Sequence, residues 1–519
     1  MHILRAAIIA ALFFFGSVCA AFAQDITLRS RDGSIELTGT FLGFDGEFYR
    51  IDTKFGELTV DSSGVLCDGP SCPSLTDYVA RLTVSGSATM GTVLMPALLE
   101  SFALRNGLNA KRETLDDRRF AYILSDLRSK KVVGIFTFRV TNTDEGFADL
   151  LAGEADLVMS LREIRPAEVT LAREAGLGNL ETPNRARVLA LDALVPIVAA
   201  NNPVTKISLS DLSRILSGKL TNWRELGGPD APVSVHLRDA RSGLSQGLED
   251  RVLTPANATL TPNALHHDSN AKLASAVARD PFSLGIASFS DIGNAKPLLI
   301  GGDCGFSLRA ARRSIKTEDF PLTTPMFLYV PARRLPALAR EFLTFTRTPP
   351  AQIVIRRAGF VDQAPEEVPV DLQGNRFANA VLVTEDDAAL AELKRMTRSL
   401  SAMRRLTTSF RFETGSTRLD AQSRSNVQQL ARSLEAGIYD GRKLVFVGFS
   451  DGVGPAAGNL KIARKRAETV RRAVEQAAET ADLDQIEVIT DAFGEAMPMA
   501  CDETSWGRQV NRRVEVWLR

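Results

Sequence analysis

The chain has 519 residues, 45% of them apolar, with 62 Lys+Arg against 62 Asp+Glu. This balance excludes a globally basic nucleic-acid binder, and the apolar content excludes a disordered chain. The length predicts about three domains.

Residues 1–23 have the pattern of a secretory signal. His2 and Arg5 precede the apolar run AAIIAALFFFGSV, and Ala21-Phe22-Ala23 forms a small-x-small cleavage site. The run is shorter than the roughly 20 residues of a membrane span. Val18 is bulky where a lipoprotein signal ending at Cys19 needs a small residue. Cleavage after Ala23 is expected. No later segment offers an uninterrupted apolar run of spanning length, so a soluble mature chain is expected.

Residues 24–75 read as a small β module. Ile26/Leu28, Ile35/Leu37, Ile51 and Leu58/Val60 alternate with polar residues, and Asp32-Gly33 and Asp45-Gly46 supply hairpin turns. Four cysteines follow the leader in a chain that can keep disulfides. Cys67 and Cys72 are close enough to staple this module. Cys304 and Cys501 either pair across domains or stay free. The cysteines are scattered, and His236, His266 and His267 lie at no ligand spacing to them, so neither a metal site nor a cofactor is expected.

Residues 76–365 alternate strand-like runs, such as ARLTVSGS and ALVPIVAA, with helical ones. In SLSDLSRILSG, Ser208 and Asp211 make a capping box, Leu209, Leu212, Ile215 and Leu216 one apolar face, and Gly218 a stop. The alternation predicts α/β architecture with largely parallel sheets. The length exceeds one comfortable core and predicts two lobes. Residues 366–405 read as an acidic, proline-containing linker followed by a helix, and residues 406–519 as a compact α/β unit.

Two loops in the middle region suit an oxyanion. Ser85, Gly86, Ser87 and Thr89 lie between a strand and a helix, with Pro96 predicting a kink or a late helix start. Arg238, Ser242, Gly243 and Ser245 precede another helix. A serine before a helix is also an ordinary cap. The region resembles the PstS-like phosphate-binding periplasmic receptors of ABC importers, through SGSATM, GFADLLAGEADLVMSLREI, VAANNPVTKISLSDLSRILSGKLTNWRELGG, RDARSG, DFPLTTPMFLYVP and FLTFTRTPPAQIVIRRAGFV. The resemblance implies a two-lobed type II periplasmic-binding fold, with Ser87, Thr89, Arg238, Ser242 and Gly243 around the anion and Thr143 or Asp144 adding a group. Leu244 replaces a family threonine, and Leu161 follows Ser160 where those receptors carry Asp or Ser. Both departures remove polar groups that would select phosphate. Phosphate, another oxyanion, a small acidic metabolite or a lost site therefore stay open.

In the last unit, GFSDGVGPAAGNLKIARKRAETV ends a strand at Asp451. The chain then turns through Gly452, Gly454, Pro455 and Gly458, with Asn459 as a cap or turn residue. Ala463, Ala467, Val470 and Val474 form an apolar helix stripe with Arg466 beside it. One acid and one guanidinium there would suit a zwitterion, although a solvated basic helix beside an unrelated acid has the same pattern. The segment resembles the OmpA-like peptidoglycan-binding domain, whose pattern T/S-D-x-x-G-x(4)-N-x-x-L-S-x-x-R-A aligns with Ser450, Asp451, Gly454, Asn459, Arg466 and Ala467. FRFETGSTRLD, FGEAMP and NRRVEVWL continue the match. The resemblance implies that Asp451 and Arg466, supported by Asn459, hold the free amino-acid end of meso-diaminopimelate in a stem peptide. Ile462 and Ala463 replace the family Leu and Ser.

The combined expectation is a periplasmic protein of a Gram-negative envelope, attached non-covalently to peptidoglycan and binding phosphate or a similar oxyanion, with an ABC importer as a further partner. The alternative is a structural envelope protein whose binding-protein-like part is a degenerate or protein-interaction scaffold. No G-x-S-x-G elbow, paired histidine and acid, or metal set points to an enzyme.

Overall fold

The computed structural model describes residues 25–519 except 183, 241, 303, 383, 385, 386, 414 and 415, and the side chain of 388. The secretory leader read at residues 1–23 lies outside the described residues. Among them, no helix is long and apolar enough to cross a membrane.

The alternating N-terminal pattern folds into a five-stranded antiparallel sheet, ordered Gly56–Asp61, Phe48–Thr53, Glu36–Phe44, Asp25–Ser30, Val65–Asp68. Its buried core is small: Ile26, Leu28, Tyr49 and Ile51. Two things supplement it. The Cys67–Cys72 disulfide closes the end of the module, and the module docks on the next domain. Asp45 is the docking point: its carboxylate accepts from Phe48 N at 2.7 Å and pairs with Arg334, whose guanidinium lies 4.0 Å over the Phe48 ring.

The middle region has two cores. One gathers Leu82, Val84, Leu98, Phe136, Met159 and Phe342, the other Val195, Ile197, Leu212, Trp223, Leu273 and Ile286. Two adjacent antiparallel strands, Ala186–Val198 and Thr323–Tyr329, run between them. Leu189 and Ala190 pack in the first core and Leu191 to Val198 in the second, so these strands join the lobes. The sheet is mixed rather than largely parallel. Strands Leu157–Ser160, Ala80–Ser87 and Val132–Thr141 pair in parallel, but Leu108–Thr114, Arg119–Asp126 and Val132–Thr141 form an antiparallel meander. Short polar turns at Asp116 and Asp126, rather than helices, connect these strands, and such turns reverse direction. The cap is present but the box is not reciprocal: Ser208 Oγ accepts from Asp211 N and donates to Asp211 Oδ2, at 2.9 Å each, rather than the Ser208 N–H donating to that carboxylate, and Gly218 ends the turn at φ +73. Pro96 is accommodated by a π turn over Met90–Leu94, in which Met95 N donates to Met90 O, so the helix continues into Met95–Arg105.

The C-terminal sheet has the order Glu367–Pro369, Arg404–Arg411, Arg513–Leu518, Lys443–Gly448, Glu487–Ala492. Helices Ala421–Glu435 and Ala456–Ala477 cover one face. The stretch read as a linker supplies the edge strand and then the second layer. Val445, Val447 and Trp517 on the other face need cover, and Ala380, Leu393, Met396 and Leu400 from helices Gly374–Leu382 and Asp387–Leu400 provide it.

The C-terminal unit is joined to the second lobe through buried charge. Asp319, just before the crossing strand Thr323–Tyr329, receives Arg405 Nη1 and Arg411 Nη2 at 3.0 Å each. Arg411 also donates to Glu318 O at 3.1 Å. Burial opposes ionisation of Asp319, but Arg405, Arg376 and Arg411 outweigh it and hold the carboxyl at about 2. Lys316 Nζ binds Asp362 Oδ1 at 3.0 Å and Glu366 Oε1 at 2.8 Å. Cys304 and Cys501, left open above, form a disulfide across the same boundary.

Asp319→Asn leaves two buried guanidinium groups short of charge. It is expected to lower stability by about 3–5 kcal/mol. Urea unfolding with an unmoved midpoint would contradict this account. Neighbouring Glu318 behaves oppositely. Burial and Asp420 push its carboxyl up to about 8, against Arg411 and Arg251. The folded chain then keeps a proton that the unfolded chain releases from the ordinary glutamate value of 4.5 upward. The stability it contributes is complete below that value and is lost as pH rises through about 8. The melting temperature of Glu318→Gln minus that of the wild type should therefore increase across this window.

Candidate functional site

Two strand-to-helix junctions meet where the lobes face each other. In the first, Gly86 carries φ +125, and a Cβ there would lie 2.2 Å from Met159 O. Glycine alone allows that approach between adjacent parallel strands. Ser85 Oγ donates to Asp149 Oδ2 at 2.5 Å, and Arg139 holds the same carboxylate at 3.1 Å. Ser87 is fully buried, and its Oγ has no hydrogen-bond partner among the described residues. Thr89 is half-buried in the following turn. Thr143 opens the helix Thr143–Leu151, which Asn142 caps by accepting from Glu145 N at 2.9 Å. Thr143 Oγ1 accepts the N–H of Leu161 at 3.2 Å, while Asp144 pairs outward with Arg162.

In the second junction, Ser242 Oγ accepts from Ser245 N at 3.1 Å and caps the helix Gly243–Leu248. A Cβ on Gly243 would meet Leu161 Cδ1 at 2.8 Å and Ser87 Oγ at 3.4 Å. Ser87, Thr143, Leu161 and Gly243 therefore converge at the seam, and the Leu161 side chain, only 4% exposed, fills the space between the loops. Leu244 packs in the core of its own lobe. Arg238 is directed elsewhere: its guanidinium donates to His267 O at 3.1 Å, Asn270 Oδ1 at 2.7 Å and Asp268 O at 2.9 Å. The parallel pairing of Arg238 with His267 sets this arrangement. The same register stacks His236 on His267, with Nδ1 and Nε2 3.0 Å apart, and burial lowers the pKa of both rings. Sequence spacing gave no sign of that histidine pair.

In the C-terminal unit the strand Lys443–Gly448 delivers Asp451 to a loop before the helix Ala456–Ala477. Asp451 Oδ2 pairs with Arg512 Nη1 at 2.7 Å. Arg466 is buried, its guanidinium 5.3 Å from the Phe412 ring centre and its Nε without a partner among the described residues. Burial and then Arg512 lower the pKa of Arg466, while Asp451 raises it. One acid and two guanidinium groups thus share this corner. Sequence reasoning missed Arg512, although the NRRVEVWL stretch contains it. Asn459 Nδ2 instead donates to Glu495 Oε2 at 2.7 Å. Leu460, Glu495, Asp502 and the Cys304–Cys501 pair line a cavity of about 550 Å³ beside the loop.

Comparison with known proteins finds similarity in two separate parts of the chain. The model of the PBP superfamily domain matches residues 78–348, and that of the OmpA family matches residues 411–512. Protein SphX of Synechococcus elongatus is 28% identical over 221 residues, covering 40% of this chain and 64% of SphX. Outer membrane protein A of Bordetella avium is 29% identical over 105 residues, covering 20% of this chain and 51% of that protein. The chain thus spans less than two thirds of the length of either relative. The crystal structure of an ABC-type phosphate transport receptor from Vibrio cholerae is 20% identical, with a TM-score of 0.42, covering 54% of this chain and 99% of that one. The chain belongs to the PBP superfamily through residues 78–348 and carries an OmpA family domain at residues 411–512.

Proposed function

We propose that the protein is a periplasmic, wall-tethered receptor that binds phosphate or a similar oxyanion between its lobes and meso-diaminopimelate through its C-terminal domain. The unpartnered Ser87 hydroxyl supports the first half: a fully buried donor at the seam, beside Gly243, lacks an acceptor among the described residues. Thr89, Arg238 and Ser242 complete the proposed set once the lobes part. Asp451, Arg466 and Asn459 are proposed for the stem peptide, with Arg512 as the counter-ion that the ligand's ammonium displaces from Asp451. The relatives support a binding rather than a catalytic role, since a further one is named phosphate-binding protein PstS, from Borreliella burgdorferi. An ABC importer would be the partner of such a receptor.

A second reading has an observation of its own. Leu161 fills the seam, and Arg238 is satisfied by two carbonyls and an amide. Opening the site requires removing a leucine side chain and releasing three hydrogen bonds. In this reading the two lobes are a scaffold and wall attachment is the main function.

Calorimetric titration of the full chain with inorganic phosphate separates the two. The receptor reading expects binding that Arg238→Ala weakens at least tenfold and Leu161→Ser with Leu244→Thr strengthens. Wild-type protein that releases no heat, with the double variant equally silent, would leave the scaffold. For the wall, Asp451→Ala and Arg466→Ala are each expected to abolish co-sedimentation with diaminopimelate-type peptidoglycan while the far-ultraviolet circular dichroism is kept. Sedimentation equal to wild type in both would refute these roles.

A further inference from the structure

A charged cavity lies away from both sites, between the first lobe and the C-terminal domain. Its volume is about 660 Å³, within the usual range for small-molecule pockets. Arg187 reaches it from the crossing strand, Arg347 from the turn before the helix Pro349–Arg357, and Arg432 from the helix Ala421–Glu435. Arg187 Nε donates to Asn184 O at 3.0 Å, and Arg347 Nη2 to Asn184 Oδ1 at 3.0 Å. Among the described residues, no carboxylate forms an ion pair with any of the three. Glu181, also in the wall, faces Arg173 at 3.7 Å.

Three converging cations with no ion-paired carboxylate among the described residues, and only Glu435 acting on Arg432 from beyond ion-pair distance, form an unfavourable arrangement unless an anion completes it. Their pKa values report the same strain. Burial, then Arg432 and Arg185, lower Arg187 to about 10; burial, then Arg187 and Arg432, lower Arg347 to about 9. Guanidinium forks match the paired oxygens of phosphate and carboxylate. The rest of the wall offers apolar surface at Val188, Pro349, Ile438 and Tyr439.

We propose that this cavity binds a multivalent organic oxyanion, a phosphate ester or a polycarboxylate, whose charge Arg187, Arg347 and Arg432 share and whose body lies against Val188 and Tyr439. The site is independent of the interlobe seam, because none of Ser87, Arg238 or Gly243 lines it. Occupied, it would tie the first lobe to the C-terminal domain.

The test uses the full chain at low ionic strength, with pyrophosphate and citrate as probes and sodium chloride at matched ionic strength as the control. Calorimetry and thermal melting should show binding by at least one probe beyond the salt control. The affinity is expected to fall at least tenfold in Arg347→Gln and in Arg432→Gln, with Arg187→Gln replacing either if it does not fold, and to persist in Arg238→Ala. That persistence separates this site from the phosphate reading above. Tighter pyrophosphate binding assigns the phosphate class and tighter citrate binding the carboxylate class. Wild-type protein that binds neither probe at millimolar concentration, or binding that survives the arginine substitutions, overturns the proposal.

Discussion

The arrangement of the whole chain depends on one buried carboxylate. Asp319 belongs to the second lobe, yet the guanidinium groups that neutralise it come from the C-terminal sheet. Arg405 continues the network to Glu515, which also receives Arg513 at 2.7 Å and Arg376. Neither domain could bury its share of these charges alone, because an unpaired buried ion costs several kcal/mol (roughly). The two units are therefore complementary, and the Cys304–Cys501 bond, closing a separation of 197 residues, removes much of the unfolded chain's freedom to part them.

Local rules were visible in the sequence and cross-domain ones were not. Ser208, Asp211 and Gly218 mark a helix because capping is decided within a few residues. The strands around KLVFVGF and RRVEVWL follow from short apolar runs with β-branched content, and both are buried along their length. The linker reading at the start of residues 366–405 missed the edge strand Glu367–Pro369 because Val368 gains its burial from a strand far along the chain, through pairing with Arg405. The residues proposed for an oxyanion lie on loops that local turn and capping residues mark, but the direction of Arg238 depends on the register with His267, which no local pattern encodes. Arg187, Arg347 and Arg432 are unremarkable singly and become a site only when three elements converge.

The C-terminal domain touches both lobes, and this constrains the seam. On the second lobe it has the Asp319 network and the disulfide. On the first, Ala421 N donates to Glu163 Oε1 at 3.1 Å, and Ala421 packs with Phe147, Ile164 and Leu180. The crossing strand Ala186–Val198 carries residues of both cores in one run and Thr323–Tyr329 pairs along it, which makes these two strands a natural hinge. Rotation about them must break the contacts of the C-terminal domain with one lobe.

Those two sets of contacts differ in strength. The second lobe is held by charge-compensated groups and a covalent bond, whereas the first meets the C-terminal domain through the packing of Ala421 and the Glu163 hydrogen bond, beside a cavity in which cations face one another. Opening would therefore follow the weaker side, with the C-terminal domain moving together with the second lobe. Like charges at that boundary favour separation, and a multivalent anion between them would reverse the sign of the interaction. The mobility of the lobes, and with it access to Ser87 behind Leu161, would then be set by the charge state of a boundary that lies in neither lobe's own core.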